Sequence, residues 1–395
     1  MLPPDKNTLS SEQLRRLAVR LATSVLVFIV GPAGAWDARG LNGLLSYILI
    51  YTILRFVIAE FSSKSGEKGA VRNYRFSPLI LVLAGLTPQI LPGWESQVVL
   101  VPILLGSYEG AYWSTFHGIR EARRRITGQP RKDDIDRFQK WEVGATCSAA
   151  VLVMLAGDYA APTAAILAIV AWIIPFDSIT KQALESSIAV STSDFNSEKA
   201  IFGNLTTGAY GMMLLIITNS MRIFSLHVGD IDTLALIVAI STLAGYVFKK
   251  WHEDEEKESM DNQNWVWGHK VVLMAIILML AGHAFVSIYL FFIGYIVSTF
   301  ASAGILRPLE IAIAGRLLEA EGDISGEGTI GLRERLKFTA QAKLVSILSL
   351  AWIILSEIHS EPTIELILSS TMVFAAICAM ANIDFSRKTS RLLEA

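Results

Sequence analysis

A single carboxylate, Glu109, stands near the middle of the apolar span 97–118, within the stretch LGSYEGAYWSTFHGIREARRR over residues 105–125. Ionisable groups in apolar spans cost about 2.5 kcal/mol or more and usually face a cavity, a partner or a proton path. A carboxylic acid bonded to a neighbouring helix is the plainer alternative. Trp113 and His117 follow Glu109 at every fourth position, so the three share one helix face, with Tyr112 beside them. An indole there can stack on a substrate ring or a cation, and an imidazole can relay a proton or gate a passage. Packing and an ordinary interfacial histidine are the competing readings.

Other polar groups sit inside apolar stretches. Arg55 lies near one end of the span 41–60, where it either snorkels to water or pairs with Glu60 or Glu109, snorkelling being the simpler reading. The span 201–224 carries Asn204, Thr207 and Tyr210 toward one end and Arg222 toward the other. Amides and hydroxyls of this kind commonly tie membrane helices together, at about 1 kcal/mol each. Arg222 is also placed to attract an anionic solute. Tyr295, with Tyr289, Ser298 and Thr299, gives the span 286–306 a polar side that suits a cavity wall and helix packing equally. Asp177 and Lys270 read as interfacial charges.

The elements that would position these groups follow from composition. Of 395 residues, 52% are hydrophobic and only 18% charged, and the mean hydropathy is +0.47. The charges fall in blocks between apolar runs, whereas soluble amphipathic helices interleave them. Runs of about 18 apolar residues or more are long enough to cross a bilayer. The expectation is an all-α polytopic membrane protein with spans at 17–36, 41–60, 77–93, 97–118, 142–158, 162–180, 201–224, 231–248, 268–284, 286–306, 341–358 and 363–383. That makes twelve transmembrane helices. Every Lys and Arg falls in alternate loops, at the chain ends or at Lys343, except Arg20, Arg39, Arg55, Arg222 and Lys270. The positive-inside bias then places both termini in the cytoplasm, in a cell or inner membrane. The first span lacks a small-residue cleavage site and reads as a retained helix. A capping-box spacing, Ser10 to Gln13, marks a helix start before it.

The polar loop 181–200, KQALESSIAVSTSDFNSEKA, falls midway. It divides the chain into a six-helix half over 1–180, a cytoplasmic linker over 181–200 and a six-helix half over 201–395. Both the fourth and the tenth spans run into basic, amphipathic cytoplasmic segments, and repeated halves of this sort are typical of secondary transporters.

Several chemistries are excluded or disfavoured. A net charge of −2 gives no footprint for nucleic acid. There is no phosphate-binding Gly-x-x-x-x-Gly-Lys-Ser/Thr loop, and the six histidines lack metal-ligand spacing, so no cofactor and no metal are expected. Cys147 and Cys378 sit in apolar spans and read as small hydrophobes. The acidic clusters Asp133, Asp134 and Asp136 and HEDEEKE (252–258) read as solvated helix faces, so no enzymatic activity is expected. Asn204 fits a glycosylation pattern on the wrong side of the membrane.

At this point the chain resembles the major facilitator superfamily over its whole length. GAYWSTFHGIREA resembles that family's fourth span, and LAGDYAAPTAAILAIVAWIIPF its passage from the fifth to the sixth, with Gly157 at the turn and Pro175 near the inner end. The family's Gly-x-x-x-Asp-Arg-x-Gly-Arg motif is replaced by EFSSKSGEKGAVRNYR. That stretch keeps Gly66, Gly69, Lys68 and Arg72 but has no aspartate, which leaves Glu60 or Glu67 to stand in and the subfamily open. The resemblance implies spans one, four, seven and ten around a cavity that opens alternately to each side. It also implies a small organic solute as substrate, with protons as one coupling option, and a monomer in the bilayer. The alternative from another class is a non-transporting receptor or assembly partner on the same fold.

Overall fold

The computed structural model describes residues 11–64, 66–128, 131–186, 198–255, 262–285, 287–306, 337–349, 351 and 364–394. Helix α1 (Ser11–Thr23) passes through a π-helical stretch (Ser24–Val30) into α2 (Gly31–Lys64). This run is not one rod. Arg39 (φ −149°, ψ 24°) and Gly40 (φ 56°, ψ −141°) leave helical geometry, and only a residue without Cβ adopts the second conformation at no steric cost. The chain turns there, between the first two expected spans.

Helix α3 (Gly66–Ile90) continues through Pro78 and Pro88, so the short third span is a full helix. It is followed by α4 (Val101–Thr127), α5 (Arg131–Ala156), α6 (Ala160–Ile173) and the short α7 (Ser178–Ser186). Then come α8 (Glu198–Val228), α9 (Ile231–Glu255), α10 (Asn262–Ala284) and α11 (Ile288–Phe300). Helices α12 (337–349) and α13 (Ile364–Glu394) complete the described chain. No strand occurs among the described residues. Part of the expected linker, 181–186 and 198–200, is therefore helix; Ser10 and 187–197 lie outside the described residues.

Five described stretches are long and apolar enough by themselves to cross a membrane: Ser11–Ser62, Lys140–Ile173, Leu205–Val228, Asn264–Ala284 and Ile364–Phe385. Large apolar side chains such as Leu155, Ile166, Ile173, Ile277 and Val373 point outward, the arrangement expected where the surroundings are hydrocarbon. Inside, small residues let helices close up. Helix α6 buries Ala161, Ala164, Ala165, Ala168 and Ala171 as one stripe. Against it, a Cβ on Gly85 of α3 would stand 2.7 Å from the Ala161 carbonyl oxygen. Such small-residue interfaces replace the hydrophobic drive that lipid does not supply.

Buried charge is handled locally. Arg15 donates to the carbonyls of Ala171 (3.2 Å) and Tyr74 (2.8 Å), and its guanidinium lies 4.4 Å from the ring centres of both Tyr74 and Phe176. Asp177, expected as an interfacial charge, accepts from Arg123 at 2.5 Å and from the Thr180 backbone N–H at 2.6 Å, which fixes the start of α7. Across the midpoint of the chain, α5 packs on α9, and α2 on α8.

Candidate functional site

Glu109 on α4 is 5% exposed. Its Oε2 accepts from the Tyr51 hydroxyl at 2.5 Å and faces Arg55 Nη1 at 3.4 Å, while Oε1 accepts from Trp113 Nε1 at 3.3 Å. Two glycines make this possible. A Cβ on Gly106 would stand 2.5 Å from the Tyr51 carbonyl oxygen, and one on Gly110 would stand 2.6 Å from that of Arg55. Helices α2 and α4 therefore touch backbone to backbone, and side chains one turn apart on each reach across.

Arg55 does not snorkel. Its guanidinium lies over the rings of Phe338 (4.4 Å) and Tyr51 (5.2 Å), and Nη2 donates to Oε1 of Gln341 on α12. Gln341 in turn donates Nε2 to the Gly211 carbonyl of α8 at 2.8 Å. One chain of hydrogen bonds thus runs Glu109–Arg55–Gln341–Gly211 and joins helices from the two ends of the sequence.

A second link crosses nearer the opposite end of the helices. Arg222, in the last turns of α8, donates Nη1 to the Asn219 side-chain oxygen (3.0 Å) and Nη2 to the Val27 carbonyl (3.2 Å). The Val27 acceptor is a product of local sequence. In the π-helical stretch the Gly31 N–H bonds to the Leu26 oxygen, one residue further back than in an α-helix. The next residue, Pro32, has no N–H. Neither register supplies Val27 with a donor, and a buried orphan carbonyl costs about 1–3 kcal/mol. Arg222 provides the missing donor.

Beside Arg222 lies a cavity of about 250 Å³ reached by α1, α5, α8, α9 and α11. Arg20, Glu142, Arg222, Ser241, Tyr246 and Tyr295 are among its walls. Arg20 donates to Glu142, and this pair also borders a second cavity of about 120 Å³ toward the arginine-rich end of α4. Tyr112, Trp113, Phe116, Arg123 and Arg124 line that second space. The guanidinium of Arg20 sits 5.4 Å from the Trp113 ring and 5.5 Å from that of Phe28. The Arg20–Glu142 pair is thus the partition between the two spaces.

The sequence candidates do not all converge. Glu109 and Trp113 are bonded to each other, and Tyr112 stacks at 5.5 Å on Tyr74 and 5.4 Å on Tyr108 beside the smaller cavity. Arg222 and Tyr295 line the larger one. Tyr210 bonds instead to the Ser302 carbonyl (3.1 Å), and Thr207 is buried. The side chains of His117 and Asn204, and those of Asp133, Asp134 and Asp136, lie outside the described residues. Arg20, Glu142 and Gln341 were missed. Arg20 was legible as a cation within the first apolar span; Gln341 carried no local signal.

No protein-family profile and no curated protein matches the sequence. Solved structures do match over nearly the whole chain. A POT family peptide transporter superposes with a TM-score of 0.67 at 10% identity, covering 95% of this chain and 97% of that one. A bacterial homologue of the iron transporter ferroportin gives 0.61 at 13%, covering 97% and 100%. The nucleoside transporter NupG gives 0.59 at 14%, covering 98% and 99%. The chain has the major facilitator fold, and it is an integral membrane protein of many helices.

Proposed function

We propose that this chain is a secondary active transporter of a small organic solute, working by alternating access. The helices before and after 187–197 act as two halves, and the larger cavity between them is the solute site. The supporting observation is the pairing of that cavity with two separate links across the halves. Arg55–Gln341 lies toward the basic loops and Arg222–Val27 toward the other end. Breaking one link while keeping the other opens the cavity to one side at a time. The fold shared with a nucleoside, an iron and a peptide transporter supports the same reading. Both termini and the basic loops then face the cytoplasm, and Glu109, bonded to Arg55, is the group through which protons couple to the Arg55–Gln341 link.

The test uses Thr242 of the cavity wall. In a background with Cys147→Ser and Cys378→Ser, Thr242→Cys is expected to react with a membrane-impermeant maleimide from either face of oriented vesicles. Labelling confined to one face under every condition sinks alternating access and leaves a receptor.

A further inference from the structure

Arg222 differs from the half-buried arginines of the bundle. It is 6% exposed, and among the described residues no carboxylate lies within ion-pair distance of it, whereas Arg16, Arg20, Arg55 and Arg123 each have one. Its terminal nitrogens meet only neutral acceptors, Asn219 and Val27, and its Nε is buried without a partner. A guanidinium cannot shed its proton as a buried lysine does, so the charge persists, and a buried unpaired charge is strongly unfavourable. Arg15 also lacks a carboxylate, but two rings enclose it and it lines neither cavity. Arg222 faces the larger one.

We infer that the larger cavity takes a small organic monocarboxylate, whose carboxylate is the missing counter-ion of Arg222. This rests on the transporter reading of the cavity and deepens it. The site is a built one. Arg222 borders the cavity with only neutral acceptors on its terminal nitrogens, and charge-assisted bonds to carboxylate are the strong ones available to guanidinium. Phe28, Tyr246 and Tyr295 give the body of the solute an aromatic wall, and the hydroxyls of Ser241 and Thr242, which donate to the Val238 carbonyl, lie beside it. Arg20 and Glu142 cancel each other across the cavity, so Arg222 leaves one net positive charge. A single carboxylate neutralises it; a phosphate monoester brings a second charge that nothing in the cavity answers.

The experiment is thermal unfolding of the purified full chain with monocarboxylates from acetate and lactate to benzoate, each paired with its amide, and with phenyl phosphate. Binding to the native state raises Tm by mass action. At least one acid is expected to raise Tm saturably while its amide does not, with phenyl phosphate weaker. Arg222→Gln should weaken that acid at least tenfold, and Arg222→Lys should keep part of the effect. Equal shifts from acid and amide, no shift from any acid, or full binding in Arg222→Gln would overturn the assignment. Should Arg222→Gln not fold, the acid–amide comparison on the wild type decides alone. The Thr242→Cys labelling separates the two readings. Two-sided labelling without acid preference removes only the carboxylate assignment, whereas acid binding with one-sided labelling keeps the assignment and removes transport.

Discussion

The Tyr51 hydroxyl and the Arg55 guanidinium converge on one oxygen of Glu109, at 2.5 and 3.4 Å. Both donors come from α2, one turn apart, and the acceptor comes from α4. The acid is therefore held by the same helix whose cation reaches on to Gln341, so a change at Glu109 is felt at a contact between the ends of the sequence.

Removing one partner leaves the other buried, since their side chains are only 11% and 7% exposed. Glu109→Gln and Arg55→Gln should each lower stability. Together they should lower it by less than the sum, with a coupling of about 1–2 kcal/mol. Reversible unfolding of the two single variants and the double variant measures that term; strict additivity would mean the pair is a contact without energetic weight.

Gln341→Ala removes a charge-assisted bond of about 1.5–3 kcal/mol from the link toward the basic loops. If the bond exists only in the state closed at that end, its loss shifts the population about tenfold or more toward the open one. Distance measurements between spin labels on α2 and α12 should show the longer component growing, while the Val27 region is unchanged. An unaltered distribution would assign Gln341 a purely structural role.

How much of this was readable beforehand divides along a physical line. Apolar runs and alternating basic loops depend on each segment's own exchange with lipid and water, and among the described residues the expected spans fall mostly on helices, the sixth breaking at 174–177. Glu109 and Trp113 were legible as sharing one helix face because a four-residue spacing is local. Gln341, 286 positions from Arg55, and Val27, 195 from Arg222, become partners only through tertiary packing, which leaves no periodic trace. For Arg55 the sequence offered snorkelling as the simpler reading and a carboxylate partner as the alternative; the structure has Glu109 as that partner and adds Gln341, which no local signal marked.

Gly110 tests the close approach that assembles the acid. Gly110→Leu must push α2 away, because even a Cβ would come within 2.6 Å of the Arg55 carbonyl oxygen. Overpacking of this sort costs about 1–3 kcal/mol and lengthens the Tyr51–Glu109 bond. Gly144→Leu, where a Cβ meets nothing within 4 Å inside helix α5, is the matched control and should not lower the unfolding temperature, since helix-interior Gly is itself unfavourable by about 0.5–1 kcal/mol.

Asp230, in the turn before α9, accepts from the Thr233 N–H at 2.9 Å and its hydroxyl at 3.0 Å. The backbone bond from Thr233, then its hydroxyl, holds this carboxyl below the ordinary carboxylate range. A depressed acid contributes stability that is present above its unfolded value and lost as pH falls through the folded one. Amide exchange in the first turn of α9 should therefore speed up below about pH 4 beyond its intrinsic pH dependence. Asp230→Ala should show the faster exchange already at pH 7.

Pro32 offers the most specific test of the link at the other end. It matters through a hydrogen it lacks: with Pro32→Ala, residue 32 can donate to Val27 in the π register, or Gly31 can do so in the α register. In either case the Val27 carbonyl gains a donor within its own helix, and the bond from Arg222 is no longer its sole satisfaction. The first helix should become locally more stable, while the hold of α8 on it weakens by about 1 kcal/mol, the net worth of one hydrogen bond. Two readouts then move in opposite directions: slower amide exchange over 27–33 and faster maleimide labelling of Thr218→Cys in the cavity wall. If both slow together, Arg222 does not hold the halves through Val27, and its bond there is incidental to packing.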